Sequence, residues 1–132
     1  DLGAGTGIIA ILLAAHHPGS VIDAVEIQPD MADMAARSVR MNGLETRVRV
    51  HPMDMRDAPA KLGNGRYDAV VCNPPYRRLG SGEMQRFDHL AMCRHEIGAT
   101  LADIISSAAK SGFPGTTCRS RWMKSAGRRT VC

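Results

Sequence analysis

Apolar positions along this chain change their period from segment to segment, and the changes lay out an alternating order of elements. After glycines at Gly3, Gly5 and Gly7, residues 8–16 are almost wholly Ile, Leu and Ala. The run is too long and too alanine-rich for a strand, so it predicts a buried helix closed by Pro18-Gly19. Residues 21–27 form a short apolar run ended by Pro29, which predicts a strand. From Asp30 as cap to Asn42, the spacing of Met31, Met34, Ala35, Ser38 and Met41 predicts a second helix with a stop at Asn42-Gly43. Residues 47–51 alternate charged and apolar, and residues 67–72 are an apolar run of strand length, so both predict strands. Between them, residues 53–64 contain Pro59 and lead into Gly63-Asn64-Gly65, and they read as mostly irregular. Residues 98–110 predict a further helix with Leu101, Ile104, Ile105 and Ala108 on one face. Beyond Gly112 neither period is found, and residues 113–132 are expected to form no packed element.

Alternation of this kind implies an α/β fold with a parallel sheet and helices on both faces, a doubly wound arrangement. A glycine loop of this type follows a buried strand of roughly five residues, and only Asp1 and Leu2 precede Gly3 here. The expectation is therefore an incomplete sheet, lacking most of its first strand and its C-terminal strands. Residues 1–112 are read as a partial domain and residues 113–132 as an irregular basic tail outside it. The abrupt change near residues 111–117 is what a disrupted reading frame produces.

Composition adds little to this picture, with 44% apolar and 23% charged residues, ordinary values for one globular domain. The formal net charge of +4 suggests a nucleic-acid partner until it is located. Arg119, Arg121, Lys124, Arg128 and Arg129 stand in a tail without acids, which leaves residues 1–112 slightly acidic. Global charge thus carries no weight. No apolar run approaches the roughly 18 to 20 residues of a membrane span and the start has no leader pattern, so a cytoplasmic protein is expected. Cys72, Cys93, Cys118 and Cys132 form no C-x-x-C pair and read as reduced thiols, with no metal site expected.

The chemistry begins at Asp1-Leu2-Gly3-Ala4-Gly5-Thr6-Gly7, where alternate glycines between a strand end and a helix start let the backbone pass close to a ligand. Asp1 at the loop mouth would repel a pyrophosphate and attract the ammonium of an amino-acid ligand, which favours S-adenosylmethionine over a dinucleotide. Gly5-Thr6-Gly7-Ile8-Ile9-Ala10 nevertheless satisfies the dinucleotide form, so the loop alone does not decide. Glu26 ends the predicted strand at the ligand-binding edge and can accept two hydrogen bonds from a ribose diol. Asp54, past the next strand, can accept from an adenine amino group.

Asn73-Pro74-Pro75-Tyr76 follows the strand of residues 67–72 and narrows the choice. Two prolines stiffen the chain and remove donors, so the Asn73 side-chain oxygen and the Pro74 carbonyl can both accept from one planar NH2 group. Tyr76 can stack on the ring that bears it. That arrangement suits in-line methyl transfer to nitrogen, where positioning does most of the work. Arg77, Arg78, Arg86 and Arg94 lie close by in sequence and can neutralise RNA phosphates. His95 and Glu96 suggest a helix cap or a loop contact. His16 and His17 read as surface residues that offset a helix dipole.

These motifs together resemble Rossmann-like S-adenosylmethionine-dependent methyltransferases that act on exocyclic or amide nitrogen. The stretch Tyr76-Arg77-Arg78-Leu79-Gly80-Ser81-Gly82 with Arg94-His95-Glu96 is similar to bacterial adenine-N6 methyltransferases of a valine tRNA. The resemblance implies that Asp1, Gly3, Gly5 and Gly7 hold the methionine part of the cofactor, Glu26 the ribose, Asp54 the adenine, and Asn73, Pro74, Pro75 and Tyr76 the target base of a tRNA. Two alternatives stay open: a glutamine-N5 protein methyltransferase, which presents the same planar amide, and a non-catalytic truncated remnant.

Overall fold

A computed structural model of the chain describes residues 1–73 and 99–112. In chain order the elements are α1 (Ile8–His16), β1 (Ile22–Glu26), α2 (Pro29–Met41), β2 (Val48–Pro52), α3 (Ala58–Leu62) and α4 (Leu101–Ser111). Strands β1 and β2 pair in parallel, Ile22 opposite Val48 and Glu26 opposite Pro52. Leu2 continues the sheet on the other side of β1 through parallel bridges to Val25 and Cys72. The spatial order is therefore β2, β1, Leu2, Cys72, with Leu2 between the later segment and β1. Helices cover both faces. Ala10 and Ala14 of α1 and Val39 of α2 pack on Ile22, Ala24 and Val48, while Ala58 of α3 and Ile104 and Ala108 of α4 pack with Leu2, Val25 and Met55 on the other face. This is a small parallel sheet with helices on both faces, the α/β arrangement that the alternation predicts.

Local differences from the sequence reading have physical causes. Helix α1 begins and ends where predicted, but it is buried on one face only: Ile8 and Leu12 are 57% and 50% exposed. Its two alanines take the position nearest the sheet. Helix α2 is capped by Gln28 with Pro29 as its first residue, so Asp30 lies in the first turn instead of capping it. The fixed φ of proline suits that position and costs no helical hydrogen bond. The buried stripe of α2 is Ala32, Ala35 and Val39, one step round from the predicted methionines, and Met34 and Met41 are 42% and 88% exposed. Small side chains win the inner face because α2 lies against the glycine loop.

Strand β1 is shorter than residues 21–27, and β2 is displaced by one residue from 47–51. The stretch read as irregular contains α3, in which Pro59 occupies the tolerated first turn. Residues 67–72 form no continuous strand, since only Tyr67 and Cys72 are bridged, Tyr67 to Gly112 and Cys72 to Leu2. Helix α4 starts at Leu101 and not at 98, because Thr100 and Asp103 close a capping box: Thr100 N–H donates to Asp103 Oδ2 at 2.8 Å and Asp103 N–H to Thr100 Oγ1 at 3.2 Å. Cys72 is a free thiol. None of the helices among the described residues is long and apolar enough to cross a membrane.

The end of α1 is served by Arg47, the residue just ahead of β2. Arg47 Nη1 donates to the carbonyls of Ala14 at 2.8 Å, Pro18 at 3.1 Å and His17 at 3.3 Å. His16 and His17 are exposed there, but Arg47 satisfies the carbonyls. Arg47→Ala is expected to lower unfolding free energy by about 1 to 2 kcal/mol, read by urea denaturation. A change below about 0.3 kcal/mol would show that water replaces the cap at no cost.

A second long-range link joins β1, β2 and the segment before Cys72. Asp23 Oδ1 lies 2.6 Å from His51 Nε2, and Tyr67 donates its hydroxyl to Asp23 Oδ2 at 2.8 Å. Burial alone would raise the Asp23 pKa, but the hydrogen bonds from His51 and Tyr67 and the charge of Arg66 outweigh it, so the carboxyl titrates below its usual range. Burial and the Asp23 carboxylate push the Tyr67 hydroxyl up to about 12. The Asp23 contribution to stability is present above the ordinary carboxylate pKa and is lost as pH falls through the depressed folded value. That of Tyr67 is complete below the ordinary tyrosine pKa of 10.0 and is lost as pH rises toward 12. Thermal melts across pH should therefore fall at both ends, and Tyr67→Phe should flatten the alkaline limb.

Candidate functional site

The site forms at the carboxyl ends of the parallel strands, where open sheets of this type bind ligands. Gly3, Gly5 and Gly7 all adopt positive φ, 69°, 56° and 82°, a conformation that strains any other residue. Their roles differ. A Cβ at Gly7 would stand 3.1 Å from the Ala35 Cβ, so this glycine admits α2 against the start of α1. At Gly3 and Gly5 the nearest atoms would be the flexible ends of Met55 and Met31, at 3.6 and 4.0 Å, which leaves those positions open to a ligand. Gly7 caps α1 without a side-chain hydrogen bond, and the first-turn N–H groups have no intrahelical partner.

Glu26 holds the loop from beneath. Only 5% of it is exposed, and its carboxylate accepts from Gly5 N–H through Oε2 at 2.8 Å and from Gln28 N–H through Oε1 at 2.9 Å. Each oxygen keeps a further acceptor site, so this role is compatible with accepting from a ligand hydroxyl. Sequence reasoning missed the buttress. An acid at a strand end beside a glycine loop is its only signal.

Asp54 follows β2 and is gripped by Arg56. Oδ1 accepts from the Arg56 N–H at 2.8 Å, Nε lies 3.0 Å from both oxygens, and Nη2 donates to Oδ2. Those bonds hold the Asp54 carboxyl below the usual carboxylate range, so it is an anion at neutral pH. Arg56 went unnoticed in the sequence, although two residues is the spacing at which a side chain can fork onto an Asp in a tight turn.

Asp1 is the exception among these acids. Both of its carboxylate oxygens are buried and have no hydrogen-bond partner among the described residues. Unpaired buried carboxylates cost several kcal/mol, so this position calls for a cationic donor. Next to the loop an open cleft is lined by Gly3, Val25, Glu26, Ile27, Met53, Asp54, Met55 and Ala99. It brings Gly3, Glu26 and Asp54 together. The apolar members supply faces on which a flat ring can lie. Asn73 follows Cys72 at the same end of the sheet and is exposed. It does not line this cleft. Pro74, Pro75, Tyr76, Arg77, Arg78, Arg86, Arg94, His95, Glu96 and the tail of residues 113–132 lie outside the described residues.

Residues 1–92 match the model of the methyltransferase small domain family. The chain belongs to that family. The match takes in the glycine loop, Glu26, Asp54 and the Asn73–Tyr76 motif of this methyltransferase small domain. Curated relatives divide between two kinds of substrate. The ribosomal protein uL3 glutamine methyltransferase of Bradyrhizobium diazoefficiens is 45% identical over 76 residues, 58% of this chain and 23% of that protein. The tRNA1(Val) (adenine(37)-N6)-methyltransferase of Porphyromonas gingivalis is 32% identical over 114 residues, 83% of this chain and 43% of that protein. The enzyme of the same name from Aliivibrio salmonicida is 32% identical over 96 residues, 72% of this chain and 38% of its own length. The methyltransferase small domain thus spans less than half the length of these relatives.

Proposed function

We propose that this chain carries the cofactor-binding core of an S-adenosylmethionine-dependent N-methyltransferase whose target is an NH2 group on a planar, conjugated carbon, first of all adenine N6 in tRNA. The observation that carries the reading is the buried Asp1 carboxylate, without a partner among the described residues, beside the left-handed glycine loop. An ammonium satisfies it, whereas a pyrophosphate would be repelled there. The cofactor supplies a sulfonium methyl group that is already electrophilic. Asp1 accepts from the amino end, Glu26 from the ribose hydroxyls while still holding Gly5, and Asp54 from the adenine amino group. Ile27, Met53 and Met55 give the base an apolar bed.

Asn73 and the Pro74 carbonyl accept from the two N–H groups of the target, which turns the nitrogen lone pair toward the methyl carbon. The bound cofactor would supply the methyl group, its S–C bond giving way to the new N–C bond, and the nitrogen would release a proton to water. Tyr76 receives the target ring, and an adenine in folded tRNA must leave its stack to reach it. Arg77, Arg78, Arg86 and Arg94 neutralise phosphates around it. Residues 1–112 form the working domain in this account, and the basic tail lies outside it.

A second reading has support from the relative that methylates a glutamine of uL3, the most identical of those described. It places a glutamine amide on the same Asn73 and Pro74 acceptors. The relatives that cover more of this chain are named for tRNA, and the arginines after Tyr76 suit phosphates. Incubating the full chain with methyl-labelled donor and, separately, tRNA or ribosomal protein distinguishes the two. Label in tRNA is expected, and label confined to protein overturns the first reading.

A further inference from the structure

We propose that Arg56 is a positioning residue for the adenine of the cofactor, fixing the Asp54 carboxylate as an acceptor on the cleft wall, an assignment that rests on the reading of Asp54 above. Asp54 lines the cleft and Arg56 does not. The guanidinium is half exposed and grips the carboxylate from the solvent side, while the Arg56 backbone N–H takes Oδ1 at 2.8 Å. A main-chain bond and a side-chain fork together stop rotation about both torsions of the aspartate. An ionised carboxylate has about four acceptor sites; Arg56 brings three N–H hydrogens, and the one on Nε is shared between both oxygens, so an incoming donor can take the site it half occupies. An adenine amino group is such a donor, whereas a 6-oxo purine puts an acceptor oxygen at that position and donates only from the neighbouring N1–H.

The setting of Arg56 keeps it there. Its charge faces Asp57 at the start of α3 and Asp103 in the first turn of α4 as well as Asp54. Asp103 is held by the Thr100 capping box, and the preceding Ala99 lines the same cleft. Besides Arg56, the charged groups that face Asp54 are Lys61 of α3 and Asp103 of α4. Without Arg56 the Asp54 pKa rises toward the ordinary carboxylate value.

The test is calorimetric titration of the full chain with S-adenosylhomocysteine and with its 6-oxo counterpart, S-inosylhomocysteine. The unsubstituted chain should prefer the amino compound, and Asp54→Ala should abolish the preference. Arg56→Ala should bind the amino compound about tenfold more weakly and the 6-oxo compound unchanged, with the acid limb of binding moved to higher pH. Arg56→Lys, which keeps charge but not the fork, should recover only part of the preference. Unchanged binding of the 6-oxo compound confirms that each variant is folded. Full preference retained by Arg56→Ala or by Arg56→Lys, while Asp54→Ala loses it, overturns the inference and leaves the Asp54 reading standing. A preference that survives Asp54→Ala, or none in the unsubstituted chain, overturns both.

Discussion

Replacing Glu26 by alanine is expected to cost about 2 to 4 kcal/mol of stability and to abolish measurable cofactor binding, because it strips acceptors from two main-chain donors at once. The Gly5 and Gln28 N–H groups both end on this carboxylate, and among the described residues Gly5 N–H has no other acceptor. With the acceptor gone the loop has little to hold its three alternate left-handed glycines in place. Glu26→Gln sharpens the expectation. It keeps one carbonyl oxygen and sets an NH2 group against the other donor, so its loss should be intermediate, with weak binding remaining. Urea denaturation and donor titration on the same samples check this. A Glu26→Ala protein as stable as the parent would show that the buttress is replaced by water.

The second large effect is expected at Asn73. Alanine there removes one of two acceptors that aim the target nitrogen, and misplacement on the order of 1 Å lowers the rate by about a hundredfold. Asn73 is exposed and outside the cleft lined by Glu26 and Asp54, so the Kd for the donor should stay within about twofold, a difference near 0.4 kcal/mol. Single-turnover methyl transfer with saturating donor separates rate from binding. An Asn73→Ala protein that keeps the rate and loses donor affinity would assign the residue to the cofactor instead of the target.

Much of the fold was legible because local chemistry and tertiary packing agree. Helix α1 starts at a glycine that must be left-handed and ends before Pro18, and its boundaries were read correctly. The inner face of α2 was misread because methionines and alanines both repeat at helical spacing. Close approach to Gly7, which selects the alanines, is a property of two segments and not of one. Long-range bonds left no local mark. Arg47 reaches α1 from 33 residues away, and Tyr67 meets Asp23 across 44. At the site, Glu26 and Asp54 are expected from their places at strand ends, and both line the cleft. That Gly5, Gln28 and Arg56 are their donors left no mark in the sequence, because a carboxylate there does not say which donors it already holds.

The most direct measurement is calorimetric titration of S-adenosylmethionine into the full chain and into Asp1→Asn. Saturable binding is expected, about tenfold or more weaker in the variant because the ammonium loses its buried counter-charge, and NADH should give no heat. Equal affinity in the two proteins, or binding of NADH in place of S-adenosylmethionine, would contradict the account.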